Sequence, residues 1–292
     1  MTNKVIFILG PTASGKTSVA IELAKRIGGE IISADSRAFY TGMDIATAKP
    51  SIKERQGIKH WGIDLINPGK KYSIAEFKVY CEEKITDIKS RGLIPIVVGG
   101  SGLYADSVIF NYDLKSRKPK EDDADTKLQK LSVFELQELI KKKRIGFPEN
   151  YKNKRYLIRW LENDGKMGED RDKEINLDYL VFGVYTKRDE LKERIKLRID
   201  KLFNQELIDE YINLNNAYPD ALDSITTNYY PIIKRYLNKE IDLNEAKELA
   251  YYADWHLAKR QLTWLKRNKY IKWYKKDEII DQIEASIRIN KN

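Results

Sequence analysis

Gly10-Pro11-Thr12-Ala13-Ser14-Gly15-Lys16-Thr17 fits the spacing G-x-x-x-x-G-K-[ST] without deviation. Residue types in this order can hold a phosphate. The glycines let backbone N–H groups turn inward, the lysine reaches the outer oxygens, and the threonine hydroxyl can hold Mg²⁺. A second candidate is Asp35, at the end of Glu30-Ile31-Ile32-Ser33-Ala34-Asp35-Ser36, a carboxylate able to accept a proton. A third is the stretch Gly99-Gly100-Ser101-Gly102 behind the apolar run Leu93–Val98. Nucleotide hydrolases commonly end such a strand with a metal-holding acid, so two glycines and a serine count against a plain ATPase. The loop alone does not say which phosphorylated molecule it receives.

The elements needed to position these groups are legible on either side of them. Val5-Ile6-Phe7-Ile8-Leu9 reads as a buried strand, and Ala20, Leu23, Ala24 and Ile27 mark one face of a helix stopped by Gly28-Gly29. The loop therefore delivers its amides at a helix N-terminus, where the dipole favours an anion. Glu30–Ser36 reads as a second strand. Ligands of open α/β sheets collect at the carboxyl ends of strands, which puts Asp35 near the phosphate loop. Ser73-Ile74-Ala75-Glu76 is a capping box opening a helix that Gly92 closes, and Leu93–Val98 reads as a central parallel strand. Asp178–Tyr185 returns as a strand, followed by a long helix with Arg194 and Arg198 four residues apart on one face. The remainder reads as helical.

The expected architecture is α/β: a P-loop NTPase-like parallel sheet flanked by helices, with a helical insertion and a helical C-terminal part. The discontinuous core covers 1–113 and 178–235. The insertion covers 114–177, where Leu128, Leu131, Phe134, Leu136 and Leu139 carry helical spacing, and the basic C-terminal part covers 236–292. At 292 residues, one large core and a smaller appended unit can both be buried.

Composition narrows the function classes. One cysteine, Cys81, excludes an internal disulfide and a cysteine-based metal cluster, and its spacing with Ile74, Phe77, Ile85 and Ile88 makes it a packed core thiol. His60 and His256 are too few and too far apart to suggest zinc. No segment approaches the length that crosses a bilayer or the pattern of a secretion signal, so a cytoplasmic protein without a membrane partner is expected. Net charge is +9, from 53 basic and 44 acidic residues. Trp255 to Lys276 holds eight Lys or Arg and no acid, with Trp264, Tyr270, Trp273 and Tyr274 interleaved. Such a mixture suits a phosphate backbone with unstacked bases, or a solvated helix face whose aromatics belong to the core. A second basic segment, Lys152 to Arg159, surrounds Tyr151, Tyr156 and Trp160.

Taken in order, these segments resemble the tRNA dimethylallyltransferases, in register from Gly10 to about Gln261. The resemblance rests on the phosphate loop, on Ser33-Ala34-Asp35-Ser36, and on Tyr40-x-Gly42-x-Asp44-Ile45-x-Thr47-Ala48-Lys49-Pro50. It continues through His60-x-x-x-Asp64, Tyr72-Ser73-x-Ala75-x-Phe77, Val98-Gly99-Gly100-Ser101-Gly102-Leu103-Tyr104, and Ala258-Lys259-Arg260-Gln261-Leu262-Thr263-Trp264. It implies transfer of a dimethylallyl group from dimethylallyl diphosphate to the N6 amine of the adenine just 3′ of the anticodon. Gly10 to Thr17 would hold the diphosphate, with Lys16 and a Mg²⁺ on Thr17 neutralising its charge as it leaves.

By the same resemblance Asp35 is the base that takes the amine's proton, and Ser101, where the family usually has threonine, helps orient the amine. Ser36, Arg37 and Ala38 fall, with Asp35, in the stretch that touches tRNA. Arg155, Arg159, Lys259 and Arg260 fall in segments that grip the anticodon stem-loop, and Thr12, Arg194 and Arg198 where the family meets diphosphate or RNA. A monomer is implied, because one chain's two basic regions wrap one RNA stem. The chain departs from the family pattern at Tyr156 and Trp160, at Asn228-Tyr229-Tyr230-Pro231, and at Asp254-Trp255. A free adenine nucleotide as acceptor, a small-molecule kinase and a non-catalytic RNA-binding NTPase are the competing readings.

Overall fold

The computed structural model describes residues 3–114, 127–165, 174–219, 221–222 and 227–289. β1 (Val5–Leu9) is fully buried along its length. A β-branched run with no polar face is stable only as a strand covered on both sides. It leads through the phosphate loop into α1 (Lys16–Ile27), which ends on Gly28 at φ 69°. That left-handed cap suits glycine, which has no Cβ to clash. β2 (Gly29–Ser33) starts at once and is shorter than the expected strand to Ser36, because the chain turns at Asp35, whose carbonyl accepts the Ala38 N–H at 3.0 Å.

α2 (Ile52–Arg55), β3 (His60–Trp61), α3 (Ile74–Ser90), β4 (Ile94–Gly99) and α4 (Gly102–Ile109) follow. With β5 (Tyr179–Tyr185) and β6 (Lys272–Lys275), the strands form one parallel sheet in the order β3-β2-β4-β1-β5-β6. Leu9 pairs with Gly99 on one side and Gly183 on the other, so the carboxyl ends of the three central strands are level. α1 and the helix Ile279–Ile289 pack on the sheet over Ile6, Ile8, Val98 and Phe182. α3, opened by the expected capping box with both hydrogen bonds formed, packs against β2 and β4 and buries Cys81. Burial pushes the Cys81 thiol pKa up, the signature of an inert core thiol.

β6 corrects the expectation that the chain after Arg194 is helical throughout. Its four residues run Lys-Trp-Tyr-Lys, too short and too charged for a period-two pattern to stand out. The rings face inward: Tyr274 packs on Phe182 at 6.2 Å, and a Cβ on Gly183 would come within 2.5 Å of the Trp273 ring. Lys272 and Lys275 stay exposed, as suits an edge strand protected by charge.

The chain forms two compact units, 1–110 with 175–292 and 111–174. The basic C-terminal segment is thus part of the larger unit. A second core there lies among the helices Arg188–Leu202, Gln205–Ala217, Tyr230–Leu237 and Leu243–Leu265, around Leu191, Ile195, Tyr229 and Ile233. In the smaller unit the helices Val133–Lys143 and Lys154–Glu162 close on Leu136, Ile140, Leu157 and Leu161. Phe134, expected on that apolar face, is 69% exposed. Residues 115–126 and 166–173 of the expected insertion lie outside the described residues. Among the described residues no helix is long and apolar enough to cross a membrane.

Candidate active site

The loops leaving β1, β2 and β4 meet over one cavity of about 370 Å³. Thr12, Lys16 and Thr17 line it from the phosphate loop, Asp35 from the loop after β2, Ser101 from the loop after β4, and Arg198 from the helix Arg188–Leu202. The sequence-predicted chemical groups therefore share one space. Ala13 at φ 62° and Gly15 at φ 86° give the loop its left-handed turns before α1 begins. Lys16 curls back so that Nζ donates to the Pro11 carbonyl at 3.2 Å. Burial lowers its pKa to about 8, partly offset by the charge of Asp35 and reinforced by that of Arg198. Ser14 Oγ and Arg198 Nε are buried without a protein partner. Unpaired buried donors beside a lysine at a helix N-terminus are what a polyanion would satisfy.

Thr17 lines the same cavity one residue into α1. No group of three or more His, Cys, Asp or Glu among the described residues is arranged to hold a metal. A caged ion is therefore not what these donors fit. They fit Mg²⁺, which retains waters and binds through one or two protein oxygens plus substrate phosphates.

Asp35 is set by its own loop: its Oδ1 accepts the Arg37 N–H at 3.1 Å, an Asx turn that aims the carboxylate. Ser101, just before α4, has its Oγ 3.4 Å from both the backbone nitrogen and the hydroxyl of Ser36. The two candidate catalytic groups are thereby tied together through Ser36. His60 also lines the cavity, with Nδ1 at 2.8 Å from the Ile58 carbonyl and a buried, unpartnered Nε2. Burial lowers its pKa, keeping the ring neutral.

The two arginines separate. Arg198 Nη1 donates to Thr12 Oγ1 at 2.6 Å inside the cavity. Arg194 does not line it: Nη1 donates to the Ser14 carbonyl at 2.9 Å and Nη2 pairs with Glu190 at 2.6 Å, clipping the loop from behind. The glycines after β4 are explained by the helix Leu243–Leu265. A Cβ on Gly100 would lie 2.5 Å from Gln261 Nε2, and one on Gly102 would lie 2.1 Å from the Trp264 ring. Gln261 Oε1 accepts the Thr12 N–H at 2.7 Å, so this helix reaches the phosphate loop directly. Loop 44–50 forms another wall. Glu210 accepts the backbone N–H groups of Asp44, Ile45 and Ala46, and Lys49 Nζ bridges Asp44 and Asp64.

Of the residues expected to meet RNA, Ser36, Arg37 and Ala38 all line the cavity, Ala38 while largely buried. Lys259 and Arg260 are exposed and outside the cavity, with Lys259 over the Trp255 ring at 5.8 Å. Arg155 and Arg159 are exposed, one turn apart, on a helix of the smaller unit. In the basic C-terminal run the cations face solvent while the rings are structural. Trp264 Nε1–H donates to Asp106 at 2.7 Å and Tyr270 packs on Phe110. Lys276, also exposed, passes close to the phosphate loop, its stem 3.3 Å from where a Cβ on Gly15 would be. Sequence reasoning missed Gln261, His60 and Asp254 as residues lining the site. Gln261 and His60 stood inside the family motifs without a role, and Asp254 stood out only as a departure from the family pattern.

Comparison with known proteins agrees with this geometry. The IPP transferase family model matches residues 38–268, and the isopentenyl transferase model matches 3–65. A tRNA dimethylallyltransferase of Staphylococcus haemolyticus is 36% identical, covering 98% of this chain and 92% of its own. Among solved structures, the tRNA isopentenylpyrophosphate transferase of Bacillus halodurans superposes with TM-score 0.74 at 32% identity, covering 98% of this chain and 96% of that one. The Staphylococcus epidermidis tRNA isopentenylpyrophosphate transferase gives 0.73 at 33%, covering 98% and 99%. A phosphate loop facing a strand-end carboxylate across one cavity, together with near full-length likeness to these proteins, means that this chain belongs to the IPP transferase family.

Proposed function

We propose that the protein transfers a dimethylallyl group from dimethylallyl diphosphate to the N6 amine of the adenine 3′-adjacent to the anticodon in tRNA. The observation that carries this reading is the single cavity lined by Lys16 and Thr17 of the phosphate loop, by Arg198 with its unpartnered Nε, and by the Asp35 carboxylate. The relatives named tRNA dimethylallyltransferase support it.

The adenine N6 lone pair is drawn into the ring, so attack needs its proton removed as the new bond forms. Asp35 takes that proton while the N6–C1 bond forms and the C1–O bond breaks. The electron pair leaves on the diphosphate. Lys16, Arg198 and the loop amides hold the departing charge in a preorganised way. Mg²⁺ held by Thr17 and the phosphate oxygens would supply further neutralisation. Ser101 keeps the loop bearing Asp35 registered to β4. The adenine must leave its stack to reach Asp35, at a cost of a few kcal/mol that contacts elsewhere offset. Arg155 and Arg159, exposed on one helix of the smaller unit, are suited to contact phosphates of the anticodon stem-loop; independently of them, so are Lys259 and Arg260, exposed on the helix Leu243–Leu265. We further infer that the protein acts as a monomer in the cytoplasm.

The test is to incubate the protein with unmodified tRNA, dimethylallyl diphosphate and Mg²⁺, then digest and weigh the nucleosides. An adenosine heavier by one C5H8 unit is expected. Its absence where a known transferase succeeds, or phosphate transfer from labelled ATP to a small molecule, overturns the reading.

A further inference from the structure

We propose that Asp254 is a positioning residue for the base Asp35, acting through Asn228 and Arg37. Asp254 is 1% exposed, lies on the helix Leu243–Leu265 and lines the cavity. Its Oδ1 accepts from Asn228 Nδ2 at 2.8 Å, and its Oδ2 accepts the Tyr229 hydroxyl at 2.7 Å. Asn228 Oδ1 in turn accepts Arg37 Nη2 at 3.0 Å. The Arg37 backbone N–H is the donor that aims Asp35 Oδ1. A buried carboxylate is tolerated only when paired, and this one is satisfied by two donors with an arginine one side chain away. Burial raises the Tyr229 pKa, so its hydroxyl remains a donor. Two of the places where the sequence departs from the family pattern, Asn228–Pro231 and Asp254–Trp255, are thus in direct contact. The chain of bonds runs from a rigid helix to the loop that carries the base.

The inference rests on the prenyl-transfer reading and is tested within it. Asn228→Asp sets two carboxylates against each other at hydrogen-bond distance. Combining it with Asp254→Asn restores every bond: the new amide donates to residue 228, accepts from Tyr229, and leaves the charge beside Arg37. At saturating tRNA, Asn228→Asp is expected to lower kcat by about tenfold or more, with KM for dimethylallyl diphosphate unchanged, and the double exchange to recover to within about threefold. Should Asn228→Asp not fold, as judged by thermal melting, Asn228→Ala cuts the link to Arg37 while keeping the Tyr229–Asp254 bond. It is expected to show the same loss of kcat alone.

A double exchange no better than the single variant overturns the inference, as does wild-type kcat in Asn228→Ala. A loss in KM rather than kcat overturns it too. An inactive unmodified protein defeats the prenyl-transfer reading instead, so the two failures are distinguishable.

Discussion

Lys16 sits at the centre of the proposed diphosphate site with a pKa lowered to about 8 by burial. In the free protein its ammonium is thus about nine-tenths charged at pH 7, half charged at pH 8 and one-tenth charged at pH 9. A diphosphate placed against it favours the charged form. The terminal phosphate of dimethylallyl diphosphate, with a second pKa near 6, has already ionised in this range. Binding should therefore draw protons from solvent: about 0.1 at pH 7, 0.5 at pH 8 and 0.9 at pH 9. Affinity is full below the free-state pKa and falls as pH rises through it, by about tenfold from pH 7 to pH 9.

Calorimetric titration of dimethylallyl diphosphate without tRNA, in two buffers of different ionisation heat, reads the uptake. Lys16→Arg, whose guanidinium does not titrate in this range, should bind with no uptake and a flat pH profile. Uptake near zero at pH 9 in the unaltered protein, or undiminished uptake in Lys16→Arg, would refute the assignment of Lys16 as the buried cation of the site. Folding has the complementary dependence: the unfolded chain binds the extra proton between pH 8 and the ordinary lysine range, so stability rises with pH there.

Three further outcomes are expected. Asp35→Ala should abolish prenyl transfer while tRNA binding stays close to that of the unaltered protein, read by filter binding beside turnover; equal loss of both would contradict its role as base. Gly102→Ala must push the Trp264 ring away from a 2.1 Å approach, and the overpacking should cost about 1–3 kcal/mol, read as a lowered Tm. Arg155→Ala with Arg159→Ala should weaken tRNA binding and reduce the slope of log affinity against log salt by about one for each phosphate no longer neutralised, with KM for dimethylallyl diphosphate unmoved. An unchanged salt slope would remove these arginines from the RNA-binding set.

How much was legible follows from how local each feature is. The phosphate loop, the capping box at Ser73 and the glycine stop at Gly28 depend on residues within a few positions of each other. The arrival of Asp35 at the cavity also followed from sequence, because parallel strands present their carboxyl ends together. Ala38 illustrates the limit. It lies in the stretch expected to meet RNA and lines the cavity, yet the turn at Asp35 leaves it only 6% exposed. Spacing along a loop does not say which side chain points outward. The basic run from Trp255 to Lys276 had two readings, and only packing separates its exposed cations from its structural rings.

By itself, then, the sequence determined the fold class, the anion-binding loop and the candidate base, since each is encoded in short-range pattern. Tertiary structure decided which distant side chains complete the site. Gln261 reaches Thr12 across 249 positions and Arg198 reaches it across 186, while Asn228 and Asp254 meet between two helices. No local propensity carries such pairings. They are fixed by how the helices settle on the sheet, where Gly183 in β5 and Gly100 and Gly102 just beyond β4 leave room for the approaching side chains.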